Sequence, residues 1–133
     1  VIDLSFLNGL RGMMSGKPEL PVQWNIPETE NQIDELFQSS RLQVIYKHSF
    51  SCSISIFAKN RIEADIGNLS NKADFHFVDV RINRPISNYV AEKSGVYHES
   101  PQLLIVRDGK VLWNGSHNRV QTEPIKNTLN KIS

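Results

Sequence analysis

From residue 22 onward the apolar positions change period at regular intervals. "VQWNI" (22–26) alternates and carries Val, Trp and Ile, which predicts a short strand. Thr29 with Gln32 three residues on forms a capping-box pattern, and Ile33, Leu36 and Phe37 fall on one helical stripe. "LQVIYKH" (42–48) is rich in β-formers and reads as a buried strand. Beyond Cys52, the residues Ile54, Ala58, Ile62 and Ile66 recur every four positions, predicting a helix that stops near Gly67. "DFHFVDVRI" (74–82) sets Phe75, Phe77 and Asp79 against His76, Val78 and Val80. Apolar residues on both faces suit a central strand covered on two sides. Asn83 is an N-cap candidate with Pro85 in the first turn, Ile86, Tyr89, Val90 and Lys93 at helical spacing, and Gly95 at the end. "QLLIVRDGKVLWNG" (102–115) is two apolar runs joined by Asp108-Gly109, a strong hairpin signal. Thr122 caps a last helix with Pro124 in its first turn and Ile125, Leu129 and Ile132 on the buried face.

The order is therefore strand, helix, strand, helix, strand, helix, hairpin, helix. The βαβ units call for parallel pairing, and the closing hairpin adds antiparallel strands to the same sheet. The expected class is α/β, a central mixed sheet with helices on both faces. Residues 1–21 carry three of the seven glycines, two of the six prolines and no period. They read as a loosely ordered N-terminal extension to a domain spanning 22–133.

Composition narrows the function more by exclusion than by signal. Lys+Arg number 15 against 14 Asp+Glu, with no like-charge cluster, so neither a nucleic-acid groove nor a membrane-surface patch is expected. No apolar run nears the roughly 18 residues of a membrane span, and the first 21 residues lack the pattern of a signal peptide. A single cysteine excludes an internal disulfide and a multi-cysteine metal site, and makes the reducing cytoplasm the simplest compartment. His48, His76, His98 and His117 form no pair at metal-ligand spacing, so no metal is assigned. His76 reads as a packed or edge residue, and Trp24 and Trp113 as core or sheet-face residues. His98 and His117 are equally well surface or groove residues. Asp79 is either a strand-end carboxylate or a partly buried proton carrier.

That leaves "HSFSCSIS" (48–55). Taken alone, Cys52 is either a small buried hydrophobe or a reactive thiol. Its place at a helix start aims unpaired backbone N–H groups and the positive end of the helix dipole at the sulfur. Lys47 and His48 are candidates for electrostatic support, although strand alternation sends them to opposite faces. Ser55 sits one helical turn on, close enough for its hydroxyl to approach the sulfur. Its hydroxyl can donate a hydrogen bond to Cys52 but cannot form a disulfide, so exchange would halt at a mixed disulfide. Cys52 and Ser55 are the candidate catalytic pair.

The element order, with a cysteine opening the helix after the second strand, resembles the thioredoxin architecture over about residues 22–133. "YKHSFSCSIS" together with "YHESPQLLIVRDGKVLWNGSHNRV" resembles, more narrowly, the monothiol bacilliredoxins. The resemblance implies a thioredoxin-like three-layer α/β/α fold with Ser100-Pro101 as the cis-proline loop beside the cysteine. Ser49, Ser51, Ser53, Ser100 and Pro101 become the candidate substrate-binding residues. It also implies the reaction: Cys52 attacks a protein carrying bacillithiol in mixed disulfide, frees the protein thiol and keeps the bacillithiol. No cofactor is held tightly, bacillithiol is the thiol co-substrate, and the partners are bacillithiolated proteins and a low-molecular-weight thiol. Departures at Phe50 and at Asn118 and Arg119 bear on substrate preference. Two rivals remain open. One is a monothiol glutaredoxin-like protein using glutathione or bridging an iron–sulfur cluster; that family carries Gly-Phe after its cysteine, where this chain has Ser53-Ile54. The other is a non-catalytic thioredoxin-fold interaction or redox-sensing module.

Overall fold

A computed structural model describes residues 20–132. Its elements are β1 (Trp24–Asn25), α1 (Glu30–Gln38), β2 (Leu42–His48), α2 (Ser53–Leu69), β3 (Ala73–Asp79), α3 (Arg84–Ser94), β4 (Gln102–Arg107), β5 (Lys110–Ser116), a 3-10 turn (His117–Arg119) and α4 (Glu123–Ile132). The strands form one sheet in the order β1-β3-β2-β4-β5. β1, β3 and β2 run parallel, β4 is antiparallel to β2, and β5 is antiparallel to β4.

Strand alternation sorts the core into two layers. On one face α1 and α3 bring Ile33, Leu36, Phe37, Ile86 and Val90 onto Ile45, Val78, Leu104 and Val106. On the other, Ala58, Ile62 and Ile66 of α2 and Ile125 of α4 cover Val44, Tyr46, Phe75, Phe77, Leu103 and Ile105. β2 is buried along its whole length, as a strand with helices on both sides must be. The three layers are those of the α/β reading.

Local chemistry fixes the ends. The Thr29 hydroxyl accepts from the Gln32 N–H (3.1 Å), and the Gln32 side chain accepts from the Thr29 N–H (3.1 Å), completing the capping box. Asp108 and Gly109 both adopt left-handed φ (52° and 76°), the turn that matches the twist of a two-residue hairpin. Their N–H groups donate to Ser39 O (2.9 Å) and Phe37 O (2.6 Å), so the hairpin tip satisfies carbonyls at the C-terminal end of α1.

Several boundaries differ from the sequence pattern. Within 22–26 only Trp24 and Asn25 pair in the sheet, because β1 is an edge strand held by β3 alone. β3 covers 73–79 rather than 74–82, since the Asp79 carboxylate accepts the Arg81 and Ile82 N–H groups and turns the chain. α2 runs through Gly67 to Leu69, where Ile66 and Leu69 still have core to cover. Its buried stripe begins at Ser55; Ile54 is 42% exposed. Asn83 occupies the N-cap of α3 but makes no capping side-chain bond, its amide donating instead to Pro27 O (3.0 Å). The 1–21 extension lies outside the described residues except for Leu20 and Pro21, and Leu20 packs on the core.

Candidate active site

β2 delivers the chain to the carboxyl end of the sheet, and residues 49–52 turn it into α2. Cys52 N–H donates to Ser49 O (3.1 Å), and Ile56 N–H to Cys52 O (3.1 Å), closing the first helical turn. Cys52 is the N-cap, extended at φ −113° and ψ 120°, and half-buried. Its side chain makes no capping hydrogen bond of ordinary geometry. The backbone N–H of Ser55 does most to lower its pKa, with further help from the Ile54 N–H and the Ser55 hydroxyl; partial burial opposes them. Each donor strengthens when the sulfur is charged, so the cap stabilises thiolate over thiol.

Ser55 is fully buried, and its Oγ accepts from the Ser49 N–H (3.3 Å). A hydroxyl has one proton and two lone pairs, so this contact leaves the proton available to Cys52. Ser49 and Ser51 share a hydroxyl hydrogen bond (3.0 Å), and Ser53 is exposed at the first helical position.

The second stretch arrives through β4. Lys47 pairs with Gln102, which puts Ser100 and Pro101 at the same end of the sheet as the turn carrying Cys52. The Ser100-Pro101 peptide is cis, and Pro101 O accepts from the His117 N–H (2.9 Å). Ser100 Oγ is buried with no partner among the described residues.

Lys47 and His48 take opposite faces, both fully buried. Lys47 Nζ donates to Ser87 O (2.9 Å) and His98 Nδ1 (3.2 Å) on the α3 side, and burial lowers its pKa to about 8. Its ammonium is thus bound behind the sheet. His48 faces the α2 side, between Phe50 and Phe77, with ring centroids 4.3 and 5.2 Å away. Burial and the charge of Lys59 push it down to about 4, so at neutral pH it carries no positive charge to lend the thiolate. His98 is half-buried beside Lys47 and Ser87, whereas His117 is exposed beside Glu99. Trp24 is core, its Nε1 donating to Glu63 (2.8 Å). Tyr46 is a site residue that the sequence pattern does not single out: its hydroxyl lies 2.8 Å from both His48 Nδ1 and Ser55 O. The two-residue spacing from His48 on a strand, which puts both side chains on one face, is the signal that could have found it.

His76 shares the depressed state of His48: burial lowers its pKa to about 4, and its Nε2–H donates to Gln43 Oε1 (2.7 Å). Both rings are neutral when folded but protonate near the ordinary ~6.5 when unfolded. Between those values the unfolded chain binds more protons, so stability is complete above about pH 6.5 and is lost as pH falls toward 4. The expected loss is of order 2–3 kcal/mol per ring. Urea unfolding at about pH 7 and about pH 4.5 should show it; equal midpoints would contradict the burial of these rings.

Among the described residues no helix is long and apolar enough to cross a membrane. The fold is similar to solved thioredoxins, including that of Trypanosoma brucei brucei (18% identity, TM-score 0.65, covering 81% of this chain and 88% of that one). The thioredoxin of Fasciola hepatica aligns at 20% identity and TM-score 0.63 over 82% and 99% of the two chains. A thioredoxin-fold protein described as a candidate oxidoreductase aligns at 25% identity and TM-score 0.68, over 78% and 91%. The family model described as "Monothiol bacilliredoxin BrxC" matches residues 26–125. Fold and family together support a redox function, and with most of its length matched, including Cys52 and Pro101, the chain belongs to the monothiol bacilliredoxin family.

Proposed function

We propose that this protein is a monothiol thiol–disulfide oxidoreductase that removes bacillithiol from protein mixed disulfides in the cytoplasm. The observation that carries the reading is the Cys52 cap: a half-buried lone thiol facing the amides of Ile54 and Ser55, with a serine where a resolving cysteine would stand. The Cys52 thiolate attacks the bacillithiol sulfur of the substrate disulfide. A new Cys52–bacillithiol disulfide forms, the old bond breaks, and the substrate protein leaves as a thiolate that takes a proton from water. An outside thiolate then attacks the Cys52 disulfide, regenerates Cys52 and departs disulfide-bonded to bacillithiol. No net oxidant is consumed in the first step; the reducing equivalents enter with the outside thiol.

Ile54 and Phe57 are 42% and 63% exposed on the turns of α2 next to Cys52. Apolar surface beside the nucleophile favours a protein as the substrate over a small disulfide alone. Ser49, Ser51, Ser53, Ser100 and Pro101 supply polar and backbone groups around the attacked bond. Mixing the reduced protein with a bacillithiolated protein tests this by intact mass: one bacillithiol should move from substrate to Cys52. A glutathionylated substrate in parallel should transfer more slowly. No transfer, with Cys52 still open to alkylation, would sink the proposal, and faster transfer of glutathione would move it to the glutaredoxin-like reading.

A further inference from the structure

We infer that Tyr46 and His48 are positioning residues: a one-way hydrogen-bond chain from His48 through Tyr46 to the Ser55 carbonyl holds the first turn of α2 so that Ser55 faces Cys52. The inference rests on the reading of Cys52 as the nucleophile and gives Tyr46 and His48 a positioning role there.

The direction of the chain follows from counting protons. Tyr46 Oη lies 2.8 Å from Ser55 O and 2.8 Å from His48 Nδ1. A carbonyl can only accept, so the single phenolic proton goes to Ser55 O. The phenol oxygen must then accept from His48, which fixes the Nδ1–H tautomer. The other ring nitrogen, Nε2, is left as a lone pair, and it is buried with no partner among the described residues. A buried acceptor without a partner is destabilising, so this tautomer is kept against a cost. With the proton on Nε2 instead, Tyr46 would have one proton for two acceptors, and the link to Ser55 or to the ring would break. The orphan is the counterpart of the chain's polarity.

The chain acts where the thiolate is made. Ser55 is held at two points, its carbonyl by Tyr46 and its Oγ by the Ser49 N–H (3.3 Å). Those two ties orient the backbone N–H and the hydroxyl that favour the Cys52 thiolate. Donation to Ser55 O also polarises the peptide whose N–H, on Ile56, bonds Cys52 O at 3.1 Å. Phe50 and Phe77 pack on His48, and Trp24 and Phe77 on Tyr46, so neither ring is free to turn away. The charged groups facing the pair are Lys59, Arg61 and Glu63 from α2 and Asp79 from the end of β3. Desolvation raises the Tyr46 phenol above its ordinary value, so it remains a donor throughout the working pH range.

Three variants of the full-length protein test this, read by the pH dependence of Cys52 alkylation. Tyr46→Phe removes the tie to Ser55 and should move the midpoint up by about half a pH unit, roughly a threefold loss of thiolate at neutral pH. His48→Phe keeps the aromatic packing but removes the donor and should shift it in the same direction. His48→Asn keeps an N–H near the Nδ1 position and should stay close to wild type. That split between Phe and Asn is one a merely structural role would not produce, and it stands even if Tyr46→Phe fails to fold. A lowered wild-type midpoint that neither Phe variant moves overturns the inference alone. A wild-type midpoint at the ordinary thiol value overturns the reading of Cys52 on which it rests.

Discussion

Replacing Cys52 with serine should abolish bacillithiol transfer while leaving the protein about as stable as before. The reason lies in the N-cap. Serine is among the best N-cap residues, because its oxygen accepts from the N2 or N3 amide, whereas the Cys52 side chain makes no capping bond of ordinary geometry here. Serine at this position supplies a capping acceptor worth up to about 1 kcal/mol, which offsets the loss of the thiolate held by the same amides. Chemically the change is fatal, since a hydroxyl is not ionised near neutral pH and cannot form a disulfide. Transfer should fall by orders of magnitude, with a melting temperature close to that of the natural protein. A C52S protein that unfolds more readily even in acid, where the natural thiol is protonated, would instead mark Cys52 as a packing residue.

Converting Ser55 to cysteine should change what the protein does with its intermediate. In the natural sequence the Cys52 mixed disulfide has no second thiol in the chain to attack it. Residues three apart on a helix have Cβ atoms about 5–6 Å apart, so a small closure of the first turn brings two thiols within the roughly 3.5–4.5 Å between Cβ atoms that a disulfide spans. In S55C the introduced thiolate would attack the Cys52 sulfur, form an internal disulfide with it and expel bacillithiol as its thiolate. S55C should therefore accumulate as an internally oxidised protein, two hydrogens lighter, where the natural protein accumulates the bacillithiol adduct. Free bacillithiol should appear without an added thiol. Persistence of the adduct on S55C would show that position 55 is not in reach of Cys52 and would remove Ser55 from the site. S55C also loses the Ser55 hydroxyl, so its first step should be slower than that of the natural protein.

Much of this site was legible in the chain because its parts are local. Cys52 three residues before Ser55, at the start of a helix with apolar residues every four positions after a buried strand, is a pattern carried by a short consecutive stretch. The Asp108-Gly109 turn and the Thr29 capping box are equally local, and each forms as its residues dictate. What escaped is long-range. β1 pairs with β3 and not with β2, its neighbour in the chain, and no alternation in "VQWNI" specifies that. Lys47 reads as a free cation near the thiol, yet it ends against Ser87 and His98, 40 and 51 residues away. His48 reads as a second cation, yet burial leaves it neutral. Ile54 fits the four-residue spacing as a buried position, but Ser55 is the residue that faces inward, because the first turn of α2 is pinned by Tyr46 and Ser49.

The central claim is that Cys52 is held as a thiolate by the start of α2. It is tested most directly by following the ultraviolet thiolate absorbance of the full chain against pH, with C52S as the blank. A single ionisation centred clearly below the ordinary thiol value of about 8.5 is the expected result. A midpoint at or above that value would contradict it and leave Cys52 a bystander in a thioredoxin-like frame.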